Sequence, residues 1–239
     1  MRHKKNKTII ILGVARSGTS LLAGILHCLG IDMNPDNNPS IDYPFGSFED
    51  REMTNLTESA KKSLHSCGEY SEGNKNDVQT LIKVRQKNNH NWGWKSAKNV
   101  YCMDLFIPYC QNIHIITIHR DTSELILKEW CDYIEINDDQ FDEFTPHMKN
   151  ILANEDLINK EMNKRDVPQF SVMHSRIKND IYGAARSIAK FLSISFGVKK
   201  QKLIKNLLVG EDDKEIVYDK VIKLMGEHDI TAPETLKYL

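Results

Sequence analysis

The chain has no excess of either charge, no C-x-x-C pair, no long apolar run and no segment of low complexity. Each absence removes a class of protein. Across 239 residues, 32 lysines and arginines stand against 33 aspartates and glutamates, for a formal net charge of −1. No global basic field draws the chain to nucleic acid or anionic lipid, so any anion it binds must be held locally. The five cysteines, Cys28, Cys67, Cys102, Cys110 and Cys131, are odd in number and have no paired histidine spacing. Neither a disulfide framework nor a zinc site is indicated, and a reducing compartment is the natural setting. Nothing approaches the ~20 uninterrupted apolar residues of a membrane span. The opening "MRHKKNKTIIILGVARSG" has the basic start and apolar run of a secretory signal. That run is only about eight residues long, however, and feeds straight into a glycine loop, as a buried first strand does. The chain is therefore expected to be cytoplasmic.

What is present is an ordinary globular composition, 40% hydrophobic and 27% charged. It fits one domain over residues 1–239, with a core at about 8–208 and a helical extension at about 211–239. Ile9 to Leu12 reads as an apolar strand, Thr19 to Leu29 as a buried helix, and Asp32 to Ser47, rich in Pro, Asn and Asp, as an ordered loop. A helix is expected over Glu49 to Leu64, then a polar break "CGEYSEGNKN", then a helix capped by Asp77 and running to about Lys87. "NWGWKSAKN" reads as a short strand and turn, Val100 to Tyr109 as helical, and Asn112 to Arg120 as the clearest second strand. Helices over Ser123 to Ile136 and Thr145 to Lys164, a strand over Gln169 to His174 and a helix over Asp180 to Leu192 complete the pattern. Strands alternating with helices predict a three-layer α/β/α protein with a mainly parallel sheet. Ligands of such sheets sit beyond the carboxyl ends of the strands.

The first such end carries the strongest signal. "TIIILGVARSGTSLL" runs from strand through a small-residue turn into a helix, and Gly13 and Gly18 have the spacing of a phosphate-binding loop. A nucleoside-triphosphate loop, G-x-x-x-x-G-K-[ST], would place lysine after the second glycine to reach the terminal phosphates. Thr19 stands there instead. Backbone N–H groups and the helix dipole still favour an anion at this spot. Arg16 adds a fixed cation, and Ser17, Thr19 and Ser20 add hydroxyls.

This loop, "GVARSGTSLL", resembles the 5′-phosphosulfate loop of sulfotransferases that use 3′-phosphoadenosine 5′-phosphosulfate (PAPS), written P-K-S-G-T-T or, in many bacterial members, x-R-S-G-T-S. The resemblance implies a P-loop-like sulfotransferase fold, with Arg16, Ser17, Gly18, Thr19 and Ser20 around the phosphosulfate. It also accounts for the missing lysine. A sulfuryl group has one ionisable oxygen fewer than a terminal phosphoryl group, so its transfer has less charge to neutralise, and the family needs no metal. "HIITIHRDTSELILKEW" resembles the family's 3′-phosphate motif, a strand followed by R-D-P and, eight residues after the arginine, a serine. Arg120 takes the arginine position, where its planar fork suits phosphate. Thr122 and Lys128 replace the proline and the serine, so the resemblance leaves the second phosphate contact to Lys128 or to Ser123.

Two further elements imply catalytic roles. "FGSFEDRE" resembles the bacterial G-x-F-E element and makes Glu49 the first candidate for the base; alternatively, Glu49 and Asp50 favour the positive end of the next helix. His27, expected in the core, and His119, beside Arg120, are lesser candidates. "WGWKSAKN" resembles W-G-x-K-[DS]-P and implies that Lys95 approaches the transferring group, where it can stabilise charge on the bridging oxygen. Trp92 and Trp94 alternate with Gly93, so both face one side, for packing or for stacking on a ligand. The region "SRIKNDIYGAARSIAKFLSISFGVKKQKLIKNLL" resembles the family's closing segment. Lys199, Lys200, Lys202 and Lys205 then border the 3′-phosphate or lie on a solvated face.

The implied activity is transfer of a sulfuryl group from PAPS to a hydroxyl or amine of a small-molecule or saccharide acceptor. Acceptor choice is expected from Asp32 to Ser47 and from Cys67 to Lys75. A helix over Lys214 to Gly226 is expected to cover the core or to mediate self-association as a homodimer. Two alternatives remain, an atypical nucleotide kinase or NTPase, and a non-catalytic protein that binds adenosine 3′,5′-bisphosphate.

Overall fold

The structure is a computed structural model that describes residues 6–33, 48–87, 90–136 and 141–205. Ile9 to Leu12 offers no polar face, which suits a strand covered on both sides. That segment lies within β1 (Thr8–Leu12), whose residues are all buried. It sits inside a four-stranded sheet of order β2-β1-β3-β4, with β2 (Trp92–Lys95), β3 (Ile113–His119) and β4 (Gln169–Met173). Every neighbouring pair is parallel. Ile11 pairs with Lys95 on one side and Ile116 on the other, and His119 pairs with Met173 at the far edge.

Alternation along β1 divides the core into two layers. Ile9 and Ile11 pack with Leu22, Ile25 and Leu26 of α1 (Thr19–Cys28) and with residues of α8 (Ile181–Phe191) and α9 (Val198–Lys205). Ile10 and Leu12 face the opposite cluster. It includes Met53 of α2 (Arg51–Cys67), Val78 and Ile82 of α3 (Glu72–Lys87), Phe106 of α4 (Met103–Phe106), Leu125 of α5 (Thr122–Ile136) and Ile158 of α6 (Phe141–Lys164). This is the expected three-layer α/β/α arrangement. Truncating Ile10 or Ile11 to alanine would cost about 2–5 kcal/mol, because neither layer can collapse into the space.

Trp92 and Trp94 belong to the second layer. Their rings stack at 5.1 Å, and the Trp94 indole N–H donates to Asn99 Oδ1, whose amide in turn donates to the Ile11 carbonyl. Core packing therefore explains both indoles.

Several boundaries differ from the sequence expectation. Helix α3 starts at Glu72, so Asp77 lies inside it. Ser71 caps that helix, its hydroxyl oxygen accepting from the Asn74 amide. The polar break shortens accordingly to a corner where Gly68, at φ 76°, ends α2. Helix α6 begins at Phe141 rather than Thr145. Strand β4 stops at Met173, and His174 opens a separate short helix, α7 (His174–Asn179). Asp180 then caps α8 through the Gly183 amide. Most of the loop from Asp32 to Ser47 lies outside the described residues, as do the extension 211–239 and the helix expected over Lys214 to Gly226. No helix among the described residues is long and apolar enough to cross a membrane.

The chain leaves β1 for β2 on one side and returns to β3 on the other, so the order reverses beside β1. Ligands of open parallel sheets bind at such a reversal, outside the carboxyl ends of the strands. Each strand ends there on a residue of interest. Lys95 closes β2, Gly13 follows β1, Arg120 follows β3 and His174 follows β4.

Candidate active site

The loop after β1 owes its shape to two left-handed residues, Arg16 at φ 61° and Gly18 at φ 97°. For an arginine this conformation costs about 1–2 kcal/mol, a strain that surrounding contacts must hold. Ser17 supplies part of that hold. It is fully buried, and its backbone N–H and hydroxyl both donate to the Val14 carbonyl, at 3.2 and 2.7 Å. Its hydroxyl thus shapes the loop from within rather than facing outward. Gly18 caps α1 without a side-chain hydrogen bond, and the first turn carries no acidic residue. The left-handed backbone at residues 16 and 18 and the uncapped start of α1 give the loop a form that suits an anion.

Neither glycine of this loop admits a side chain. A Cβ at Gly13 would lie 2.6 Å from Ser17 Oγ and 2.7 Å from Thr19 Cγ2, and one at Gly18 would lie 2.5 Å from His174 Cδ2. Space therefore fixes both glycines, and at Gly18 the left-handed backbone adds to it. Thr19 and Ser20, both half-buried, open α1 at the rim of the loop.

Arg120 meets this loop directly. Its Nη1 donates to the Arg16 carbonyl at 3.0 Å and its Nε to Glu124 Oε2 at 3.1 Å. Arg16 Nε lies 3.9 Å from Glu129 Oε1, a carboxylate whose side chain is only 9% exposed. Helix α5 thus sets one carboxylate against each arginine, which offsets the repulsion of two cations brought to one place. Lys128, half-buried, lies on the same helix. Ser123 is committed elsewhere, since its hydroxyl and N–H both donate to Asp121 Oδ1 at the start of α5. Those bonds hold the Asp121 carboxyl below the usual carboxylate range.

Lys95 and Glu49 form the second half of the site. The ammonium is 7% exposed and donates to Glu49 Oε1 at 2.9 Å. Glu49 does not cap α2. Asp50 does, its Oδ1 accepting from the Glu52 and Met53 amides. The other Asp50 oxygen takes Arg85 Nε at 3.1 Å and Nη2 at 2.9 Å, so a fully buried aspartate ties α2 to α3 just beside Glu49. Phe48, buried and at φ 53°, turns the chain between the core and this pair.

Other expectations are corrected. His27 is exposed on α1, beside Phe48, and is not a core residue. His119 Nδ1 lies 3.3 Å from Glu155 on α6. Lys200 donates to the carbonyls of Leu29 and Ser195 at the carboxyl end of α1. That helix is about 15 Å long, so Lys200 lies far from the loop at its other end. Residues Cys67 to Lys75 likewise sit at the end of the 17-residue α2 opposite Glu49, about 25 Å along the axis, too far to select an acceptor there. Burial pushes the Cys102 and Cys110 thiols up to about 12. His174, Glu124 and Glu129 were missed from sequence. The signal for His174 was its place immediately after a strand; nothing marked the two glutamates.

No protein-family model and no curated protein sequence matches the chain. Solved structures do. Sulfotransferase STF9 from Mycobacterium avium superposes with a TM-score of 0.60 at 12% identity, over 87% of this chain and 69% of that one. The sulfotransferase domain of the Synechococcus PCC 7002 olefin synthase gives 0.54 at 15% identity, over 82% and 76%. Sulfotransferase STF1 from Mycobacterium tuberculosis H37Rv gives 0.51 at 12%, over 90% and 76%. At such identities the likeness is one of fold. The chain has the three-layer, P-loop-like α/β/α fold of the sulfotransferases.

Proposed function

We propose that the protein transfers a sulfuryl group from PAPS to a hydroxyl or amine of an acceptor, a saccharide or another small molecule. The observation that carries this reading is the convergence, at the carboxyl ends of three adjacent strands, of an anion-binding loop without a lysine, an arginine docked on that loop, and a buried lysine paired with a glutamate.

The roles follow from chemistry and position. Arg16 and the amides of residues 18–20 hold the 5′-phosphosulfate of the donor, and Arg120, with Lys128, holds the 3′-phosphate. In the transfer, the bond from sulfur to the bridging phosphate oxygen breaks as a bond from sulfur to the acceptor oxygen or nitrogen forms. Lys95 stabilises the charge that develops on the bridging oxygen, and Glu49 takes the acceptor proton. Adenosine 3′,5′-bisphosphate leaves. With the donor in place, the Lys95 ammonium turns from Glu49 toward the leaving oxygen, which frees a carboxylate oxygen for the acceptor.

The experiment is transfer of radiolabelled sulfuryl from PAPS to a panel of alcohols, phenols, amines and saccharides in chelator-treated buffer. Labelled product from wild type, and far less from Lys95→Met, supports the reading. Tight binding of adenosine 3′,5′-bisphosphate without transfer to any acceptor would instead favour a binding protein. Magnesium-dependent ATP turnover would favour a kinase or NTPase.

A further inference from the structure

Glu124 stands where two supports of the loop meet. Its Oε2 accepts from Arg120 Nε at 3.1 Å and lies 3.8 Å from His174 Nδ1. Arg120 continues from there to the carbonyl of Arg16. His174, 2% exposed, presses the Cδ2 edge of its ring into the space a side chain would need at Gly18. Arg16 and Gly18 are the two left-handed residues that give the loop its concave form. The Glu124 carboxylate therefore reaches the strained Arg16 through the Arg120 guanidinium and stands close to the imidazole that packs at Gly18.

We infer that Glu124 is the positioning residue of the anion loop, holding Arg120 in the orientation that keeps Arg16 in its strained conformation. This rests on the reading of the loop as the donor site only for the identity of the ligand. An arginine is a long, flexible cation with several N–H groups in a fixed plane. Anchoring its Nε edge and one Nη1 hydrogen leaves the remaining N–H groups directed at an anion, already ordered before it arrives. Without the carboxylate, Arg120 loses its anchor and repels Arg16. The loop then relaxes toward backbone angles that suit an arginine better, and the N–H groups no longer converge.

Glu124 is half-exposed on α5, so its replacement removes no core packing. Glu124→Ala and the isosteric Glu124→Gln would be compared with wild type, using the full chain. Without ligand, amide exchange at Ser17 and neighbouring loop residues should quicken about tenfold in Glu124→Ala while the β1–β3 ladder keeps its protection, and the Arg120 Nε–H resonance should move in both variants. Dissociation constants for adenosine 3′,5′-bisphosphate should rise about tenfold, the loss of one charged hydrogen bond. The donor KM should rise with them, and kcat at saturating donor should stay near wild type. Unchanged loop exchange and unchanged affinity in a normally folded Glu124→Ala would overturn the inference. Faster loop exchange in a protein whose wild type binds no bisphosphate would uphold the anchoring by Glu124 and refute the donor assignment, so the two failures are separable.

Discussion

The Lys95 ammonium and the Glu49 carboxylate meet at 2.9 Å, with the lysine almost wholly buried and the glutamate 40% exposed. A pair of this kind places a cation and a base within one small volume at the strand ends. It also makes the two residues testable as a unit. Glu49→Gln should lower transfer by about 10²–10⁴-fold, as loss of a general base does, and leave bisphosphate affinity within a factor of a few. Lys95→Met should lower kcat by about 10²–10³-fold. The double variant should be no worse than the poorer single one, since residues acting as a unit are not additive. Steady-state kinetics on any acceptor found to be active checks all three.

Asp50 is expected to matter more for stability than its neighbour. Asp50→Ala removes the cap of α2 and the Asp50 bonds of Arg85, which keeps its pair with Glu52, for a loss of about 2–4 kcal/mol, of which the cap is about 1. Asp50→Asn keeps a cap acceptor and should lose less. Urea unfolding distinguishes the two, and equal losses would show that the cap contributes nothing beyond the link to Arg85.

Gly18→Ala should unfold more easily by at least about 1–2 kcal/mol, from the left-handed backbone alone, and should displace His174 as well. Bisphosphate binding should be lost with it. A variant that melts and binds like wild type would contradict the geometry of the loop.

His114 gives the pH dependence a sign. Burial lowers its pKa from the ordinary 6.5, against a weaker upward pull from its hydrogen bond to the Asn112 carbonyl. The unfolded chain then takes up a proton at a higher pH than the folded one does, so the folded state loses stability as pH falls below about 6.5 toward the lowered folded value. Above that range the contribution is complete and flat. His114→Gln should reduce the slope of unfolding free energy against pH below about 6.5, measured by denaturant titration. An unchanged slope would assign the acid sensitivity to other groups.

The sheet and the loop were legible because their signals are local. Four apolar residues in a row mark a strand covered on both faces, and two glycines flanking a short turn mark the entry to α1. Arg120 and Lys95 were legible from their places at strand ends. The contacts among these residues were not, since Arg120 lies 104 positions from the carbonyl it holds and Lys95 lies 46 positions from Glu49. Nothing in the sequence near Glu124 or Glu129 announced a counter-charge, because a glutamate on a helix is ordinarily solvated. Ser71 and Asp77 cap helices equally well by residue type, so the sequence does not decide between them as the start of α3. His174 was absorbed into β4, whose last turn into α7 has no glycine or proline to mark it.

Thermal melting with adenosine 3′,5′-bisphosphate, set against ATP with and without magnesium, tests the central claim most directly. At 100 times its dissociation constant, a ligand that binds only the native state stabilises it by about 2.7 kcal/mol. The bisphosphate should produce that shift without metal, ATP should produce little, and Arg16→Ala and Arg120→Ala should each abolish most of it. A shift seen only with ATP and magnesium, or one that persists in both arginine variants, would contradict the account.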